Sequence, residues 1–227
     1  MHIIKHIGWL LLLPILISGC EEKTYDYGFE TGGFGGPGWP IWVEYLIINE
    51  SWQIPVGNLS GGNADTTHRP PGGKSASAGW VPLPHTVRAR WFSYRTQTFY
   101  EATVEIPKDK QKQIKQWFKK YPRKKYFHDL DIGIKGQGEI QLWWYVGCGG
   151  IECPPARPET FEFHFFELTP RIKAIEVDGD ASGYRAGTLK RIEEGFLPPD
   201  VLNLLPPEPD TTETQEKESS TKNTETD

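Results

Sequence analysis

Apolar and polar residues alternate along much of this chain, and the points where the alternation doubles back predict hairpins. Residues 41–48, IWVEYLII, are β-branched and aromatic and form a strand pattern. Residues 86–94 and 99–106 alternate around a four-residue turn. Pairing Tyr94 with Phe99 sets Val87 against Ile106, Ala89 against Val104 and Trp91 against Ala102 on one face. The other face then carries Arg88 opposite Glu105, with Arg90 flanked by Glu101 and Glu105. An apolar face backed by a salt-paired one suits a half-buried antiparallel sheet. A second hairpin turns at Gly136-Gln137-Gly138 and sets Ile134 against Ile140, Ile132 against Leu142 and Leu130 against Trp144. A one-residue slip would spoil either match. Residues 160–168 alternate again, with Phe161, Phe163 and Phe165 on one side.

Between the hairpins the period changes. Ile114, Trp117, Phe118 and Tyr121 fall at i, i+3, i+4 and i+7, which predicts a helix over 108–120 bounded by Pro107 and Pro122. A shorter helix is expected over 188–195, with a further turn between Pro199 and Leu205. The fold class that follows is α+β: mainly antiparallel sheet, one amphipathic basic helix and a short C-terminal helix.

The N-terminus follows neither pattern. An eleven-residue apolar run, Ile7 to Ile17, follows Lys5 and closes on Leu16-Ile17-Ser18-Gly19-Cys20. A bilayer-spanning helix needs about 20 apolar residues, so the run has the shape of an export signal. Its ending resembles the lipobox of bacterial lipoproteins. That resemblance implies cleavage before Cys20, giving a signal peptide over 1–19, and acylation of Cys20. Two or three acyl chains anchor a protein stably. The expected address is the cell envelope, and because Glu21 follows the lipid cysteine, the outer membrane facing the periplasm. Residues 20–38, with many glycines, are expected to be a tether. A single domain is expected over 39–205, with a long loop over 57–79, and 206–227 is expected to be a disordered tail.

Charge and cysteine content sharpen this picture. The formal net charge is −5, and the tail after Leu205 carries all of it, with seven acids against two lysines. The body is nearly neutral, and no global basic excess points to nucleic acid. The chain has three cysteines. With Cys20 assigned to lipid, Cys148 and Cys153 remain, and an oxidising compartment favours a disulfide between them. The alternative use of this pair, a metal site, lacks a second ligand pair nearby.

The pieces Arg90-Trp91-Phe92-Ser93-Tyr94 and Phe99-Tyr100-Glu101, running on to Pro107 ahead of a helix, carry a further resemblance. Together with the lipobox, the first strand and the glycine-rich loop, they resemble a family of bacterial lipoproteins, domain of unknown function 2931, over most of residues 1–170. The resemblance implies an envelope protein of Gram-negative bacteria and suggests an immunity role against a secreted, type VI-like effector. It supplies no catalytic residues.

The candidate sites are few. Nine positive charges and one acid lie between Lys108 and Lys125. On the helix, Lys112, Lys115, Lys119 and Lys120 could meet an anionic partner, or could simply be a solvated face. Trp143 and Tyr145 point away from the apolar face of their strand, opposite Asp131 and Asp129. They are either covered by a second layer or form a recognition patch. His128 beside Asp129 and Asp131 is the best acid–base candidate, though alternate acids on a strand are more simply its solvent face. Asp178-Gly179-Asp180 imitates a calcium loop but lacks its position-12 carboxylate, because Leu189 stands there. The glycines at 133, 136 and 138 lie within a hairpin, which is the wrong context for a phosphate loop. The function expected is therefore a non-catalytic binding module, with no cofactor and no metal, anchored to the membrane and meeting a periplasmic protein such as an effector toxin. An envelope maintenance lipoprotein is the alternative, and a hydrolase comes third.

Overall fold

Two six-stranded sheets face each other across one apolar core in the computed structural model, which describes residues 23–62, 69–149, 152–153 and 163–207. The strands are β1 (Thr24–Phe34), β2 (Ile41–Ile48), β3 (Trp52–Ile54), β4 (Gly57–Leu59), β5 (Lys74–Pro82), β6 (Thr86–Ser93), β7 (Thr98–Glu105), β8 (Tyr126–Lys135), β9 (Glu139–Cys148), β10 (Phe163–Glu167), β11 (Ile172–Lys173) and β12 (Ile175–Val177). The first sheet runs β10-β9-β8-β1-β5, with β11 also on β9. The second runs β12-β7-β6-β2-β3, with β4 also on β2. All strand pairs are antiparallel except β1 with β8. The chain passes from one sheet to the other at Ala174, between β11 and β12. Trp91 Nε1 ties the sheets together by donating to the Lys135 carbonyl at 3.2 Å.

Helix α1 (Lys108–Lys120) spans the residues its periodicity predicts. It lies on the inner face of the first sheet. Trp117 stacks on Phe166 and Phe118 on His128, each with 4.0 Å between ring centroids. His128 is fully buried and pins the helix end: Trp144 Nε1 donates to its Nδ1 at 3.1 Å, and its Nε2 donates to the Tyr121 carbonyl at 2.6 Å. Those two bonds fix the neutral tautomer, and burial lowers the imidazole pKa from 6.5 to about 4.

The outer face of the second sheet is capped. Helix α2 (Arg185–Glu193) and a 3-10 turn over Pro199–Leu204 enclose Phe92, Tyr94 and Phe99 in a small second core with Leu197 and Val201. The helix begins three residues before the expected 188–195.

Several expectations change. The hairpin turning at Gly136–Gly138 has the expected register. In the β6–β7 hairpin, Val87 meets Val104, Ala89 meets Ala102 and Trp91 meets Tyr100, a slide of two residues that keeps each side chain on its face. The turn itself sets this register: Gln97 takes a positive φ of 55° and its backbone N–H donates to the Ser93 carbonyl at 2.9 Å. Residues 20–38 are not simply a tether, because β1 occupies Thr24–Phe34 between β8 and β5, with Tyr27 and Phe29 buried in the core. Residues 57–79 are not one loop, because β4 and β5 take up both ends. Cys148 and Cys153 are joined in a disulfide, with Cα atoms 5.7 Å apart. Cys20, Phe161 and the tail beyond 207 lie outside the described residues.

Candidate functional site

The outer face of the first sheet is built from the alternate positions of β1, β8, β9 and β10. The parallel register of β1 with β8 sets Gly28 beside Asp129 and Glu30 beside Asp131. The β8–β9 register then sets Asp129 opposite Tyr145 and Asp131 opposite Trp143, and Phe165 follows next to Tyr145 on β10. Three acids and a group of aromatic rings are thereby placed on one surface by strands far apart in sequence.

Two glycines make the surface concave. A Cβ on Gly32 would lie 2.5 Å from the Pro71 carbonyl oxygen, so only glycine lets the 69–73 segment lie flat on β1. A Cβ on Gly28 would lie 2.3 Å from Asp129 Oδ1, so glycine also makes room for that carboxylate. The segment is held down where the Gly73 amide donates to Glu30 Oε1 at 2.6 Å. The result is a cavity of about 530 Å³, walled by Arg69, Pro70, Pro71 and Gly72 on one side and by Phe163 and Phe165 on the other, with Glu30, Asp131 and Tyr145 between them. This volume falls within the range of small-ligand sites.

The electrostatics of the cavity are unusual for a sheet surface. Asp131 is only 4% exposed, and its Oδ1 has no hydrogen-bond partner among the described residues. Burial first, then the charges of Asp129 and Glu30, push its carboxyl well above the usual carboxylate range. Burial likewise raises Asp129 from 3.8 to about 6, with Glu30 adding to the rise, while Arg123 and a bond from the Gly28 amide oppose it. The same three acids, after burial, raise the Tyr145 phenol to about 12. Three large exposed aromatics surround this area: Trp80 opposite Asp26, and Phe127 and Phe163 on either side of Gly147.

The structure separates the candidates read from the sequence. Tyr145 lines the cavity. Trp143 is buried, covered by Phe34, whose ring meets it edge-on at 6.5 Å, over the space left by Gly133. Lys112, Lys115, Lys119 and Lys120 are exposed on α1, on the other side of the sheet from the cavity. His128 points to the core and Asp129 to the outer face, so they do not form an acid–base pair. Asp131 does not belong to a solvated face. Phe163, which alternates with Phe165 on one side of β10, is 49% exposed at the cavity wall. The 69–72 segment belongs to the long loop expected over 57–79, whereas Glu30 is not among the residues expected at a site, although Tyr25, Tyr27 and Phe29 alternate with Asp26, Gly28 and Glu30. No group of three or more His, Cys, Asp or Glu side chains among the described residues is placed to hold a metal ion.

A family model described as protein of unknown function (DUF2931) matches residues 21–177. The chain belongs to this family. No curated protein and no solved structure matches it. The DUF2931 match ends at Val177, the last residue of β12, and takes in both sheets and every described residue of the cavity. Helix α2 and the 3-10 turn that cap the second sheet lie beyond it.

Proposed function

We propose that this protein is a non-catalytic binding module of the Gram-negative cell envelope. It is anchored to the outer membrane through acylated Cys20, faces the periplasm, and binds its partner on the outer face of the first sheet. The observation that carries this reading is the cavity beneath residues 69–72. A buried carboxylate with one oxygen unpaired among the described residues, exposed aromatic rings and a concave wall are costly to a fold, and they characterise recognition surfaces. In its most specific form, the reading makes the protein an immunity factor that neutralises a secreted effector.

The test is affinity capture of the lipidated protein from envelope extracts. Tyr145→Ala should lose the partner, and Lys115→Glu on the opposite face should keep it. Cys20→Ala should release the protein from the membrane fraction. If the captured partner is an effector, periplasmic expression of the wild type should protect cells from it. Capture that survives Tyr145→Ala would show that binding takes place elsewhere.

A further inference from the structure

We propose that the cavity on the first sheet receives a cationic side chain, arginine or lysine, presented by a basic segment of a protein partner. This inference rests on the binding-module reading and names the chemistry of its ligand. Glu30 and Asp131 lie side by side on adjacent strands, and Asp129 is two positions from Asp131 on the same face. Asp131 is almost fully buried and offers Oδ1 to nothing else among the described residues. A neutral ligand such as a sugar would leave these acids crowded against one another. A guanidinium or ammonium group would give Asp131 Oδ1 a charged hydrogen bond and relieve the repulsion. Tyr145, Phe163 and Phe165 add ring faces, suited both to the cation and to its aliphatic stem.

Other charges near the site leave the balance acidic. Arg69, from the covering segment, is the one cationic residue among the described lining residues; it is exposed and already engaged. Arg123 is paired with Asp26 at 2.8 Å. A cavity of about 530 Å³ is larger than one side chain, so it suits a basic residue together with its flanking backbone.

The test is calorimetric titration of the full-length protein in detergent with three probes: acetyl-Gly-Arg-Gly-amide, its Gln counterpart, and agmatine. The arginine peptide should bind at least tenfold more tightly than the glutamine peptide and more tightly than agmatine. Asp131→Asn and Glu30→Gln should each weaken it at least tenfold while the protein keeps its melting transition. Affinity should also fall as pH drops from 7 to 5, because Asp129 and Asp131, both raised by burial, take up protons and the face loses the charge the ligand needs. Equal affinity for the glutamine peptide, an unaffected Asp131→Asn variant or a flat titration would overturn the cation. Agmatine binding as well as the peptide would overturn the protein source in favour of a free organic cation. The titration needs no partner protein. A flat titration with partner capture intact therefore removes this inference alone, whereas peptide binding without any captured partner removes the wider reading instead.

Discussion

The two sheets treat their outer faces in opposite ways. On the second sheet every acid near the centre meets a cation or a hydroxyl. Arg90 pairs with Glu44 at 2.6 Å, Arg88 with Glu50 at 3.1 Å, and the Tyr184 hydroxyl donates to Glu44 at 2.7 Å. Its aromatic residues Phe92, Tyr94 and Phe99 are enclosed by the C-terminal cap. On the first sheet Glu30, Asp129 and Asp131 crowd one another, and Trp80, Phe127 and Phe163 are exposed. The first arrangement closes a surface and stabilises the fold. The second leaves unsatisfied groups in place, which a protein tolerates where binding uses them.

The largest expected effect comes from breaking the closed face. Phe92 is fully buried, with its ring 4.3 Å from Tyr184 and 4.9 Å from Phe99. Phe92→Ala should cost about 3–5 kcal/mol of unfolding free energy, measured by denaturant titration. Phe163→Ala on the open face removes a ring that is half in water and should cost about 1 kcal/mol or less. Similar losses at both positions would mean that the open face is closed in solution as well.

Acid should act on the two sides of β8 with opposite sign. His128, on the core side, has a pKa of about 4 in the fold and 6.5 when unfolded. Its stabilisation is fully present above pH 6.5 and is lost as pH falls to 4. That loss amounts to about 3 kcal/mol at most, because a shift of one unit corresponds to about 1.4 kcal/mol. Asp129, its neighbour on the outer face, is raised from 3.8 to about 6. The fold favours its protonated form, so that contribution is fully present below pH 3.8 and is lost as pH rises through 6. In the wild type the two partly cancel. Asp129→Asn should remove the acid's part, exposing a steeper loss of stability between pH 6.5 and 4. Unfolding curves across that range, with the His128 ring followed by NMR, check both signs.

The same substitution also tests what the open face costs the fold. At pH 7, Asp129→Asn should raise stability by about 1–3 kcal/mol, because the ionised carboxylate is poorly solvated there. Below pH 4 the gain should vanish. A loss at pH 7 would show that Asp129 is structural, as the paired acids of the second sheet are.

The local elements of both sheets were legible in the sequence, and the make-up of the open face was not. Strand β2, helix α1 and the β8–β9 register follow from local alternation and from glycines at a turn. The β6–β7 register slid by two residues because the alternation fixes only the face, whereas the positive φ of Gln97 fixes the position. Strand β1 was hidden by glycines that make a strand resemble a tether, although those glycines are what let the 69–73 segment lie against it. The cavity joins residues 30, 69–72, 131, 145, 163 and 165 through one parallel strand pairing. A pairing of that kind leaves no local signature, and it turns an acid that should be solvated into a buried one.

The smallest effect should come from the basic helix, and it tests whether the open face acts alone. Lys112, Lys115 and Lys119 are exposed, and the helix is held by Ile114, Trp117 and Phe118 on its other side. Reversing the three lysines to Glu should change unfolding free energy by about 0.5 kcal/mol or less. It should also leave affinity for the arginine peptide within twofold at 0.15 M salt, since exposed charges on the far side of the sheet are screened over about 8 Å. At low salt the reversed helix should strengthen cation binding modestly, because the added negative charge is then less screened. If affinity rose tenfold or more at 0.15 M salt, the two sides would be electrostatically coupled, and the lysines would serve to weaken the acidic cavity's hold on its ligand. If partner capture were lost while peptide affinity stayed constant, the partner would span both sides, and the helix would be a second contact independent of the cavity.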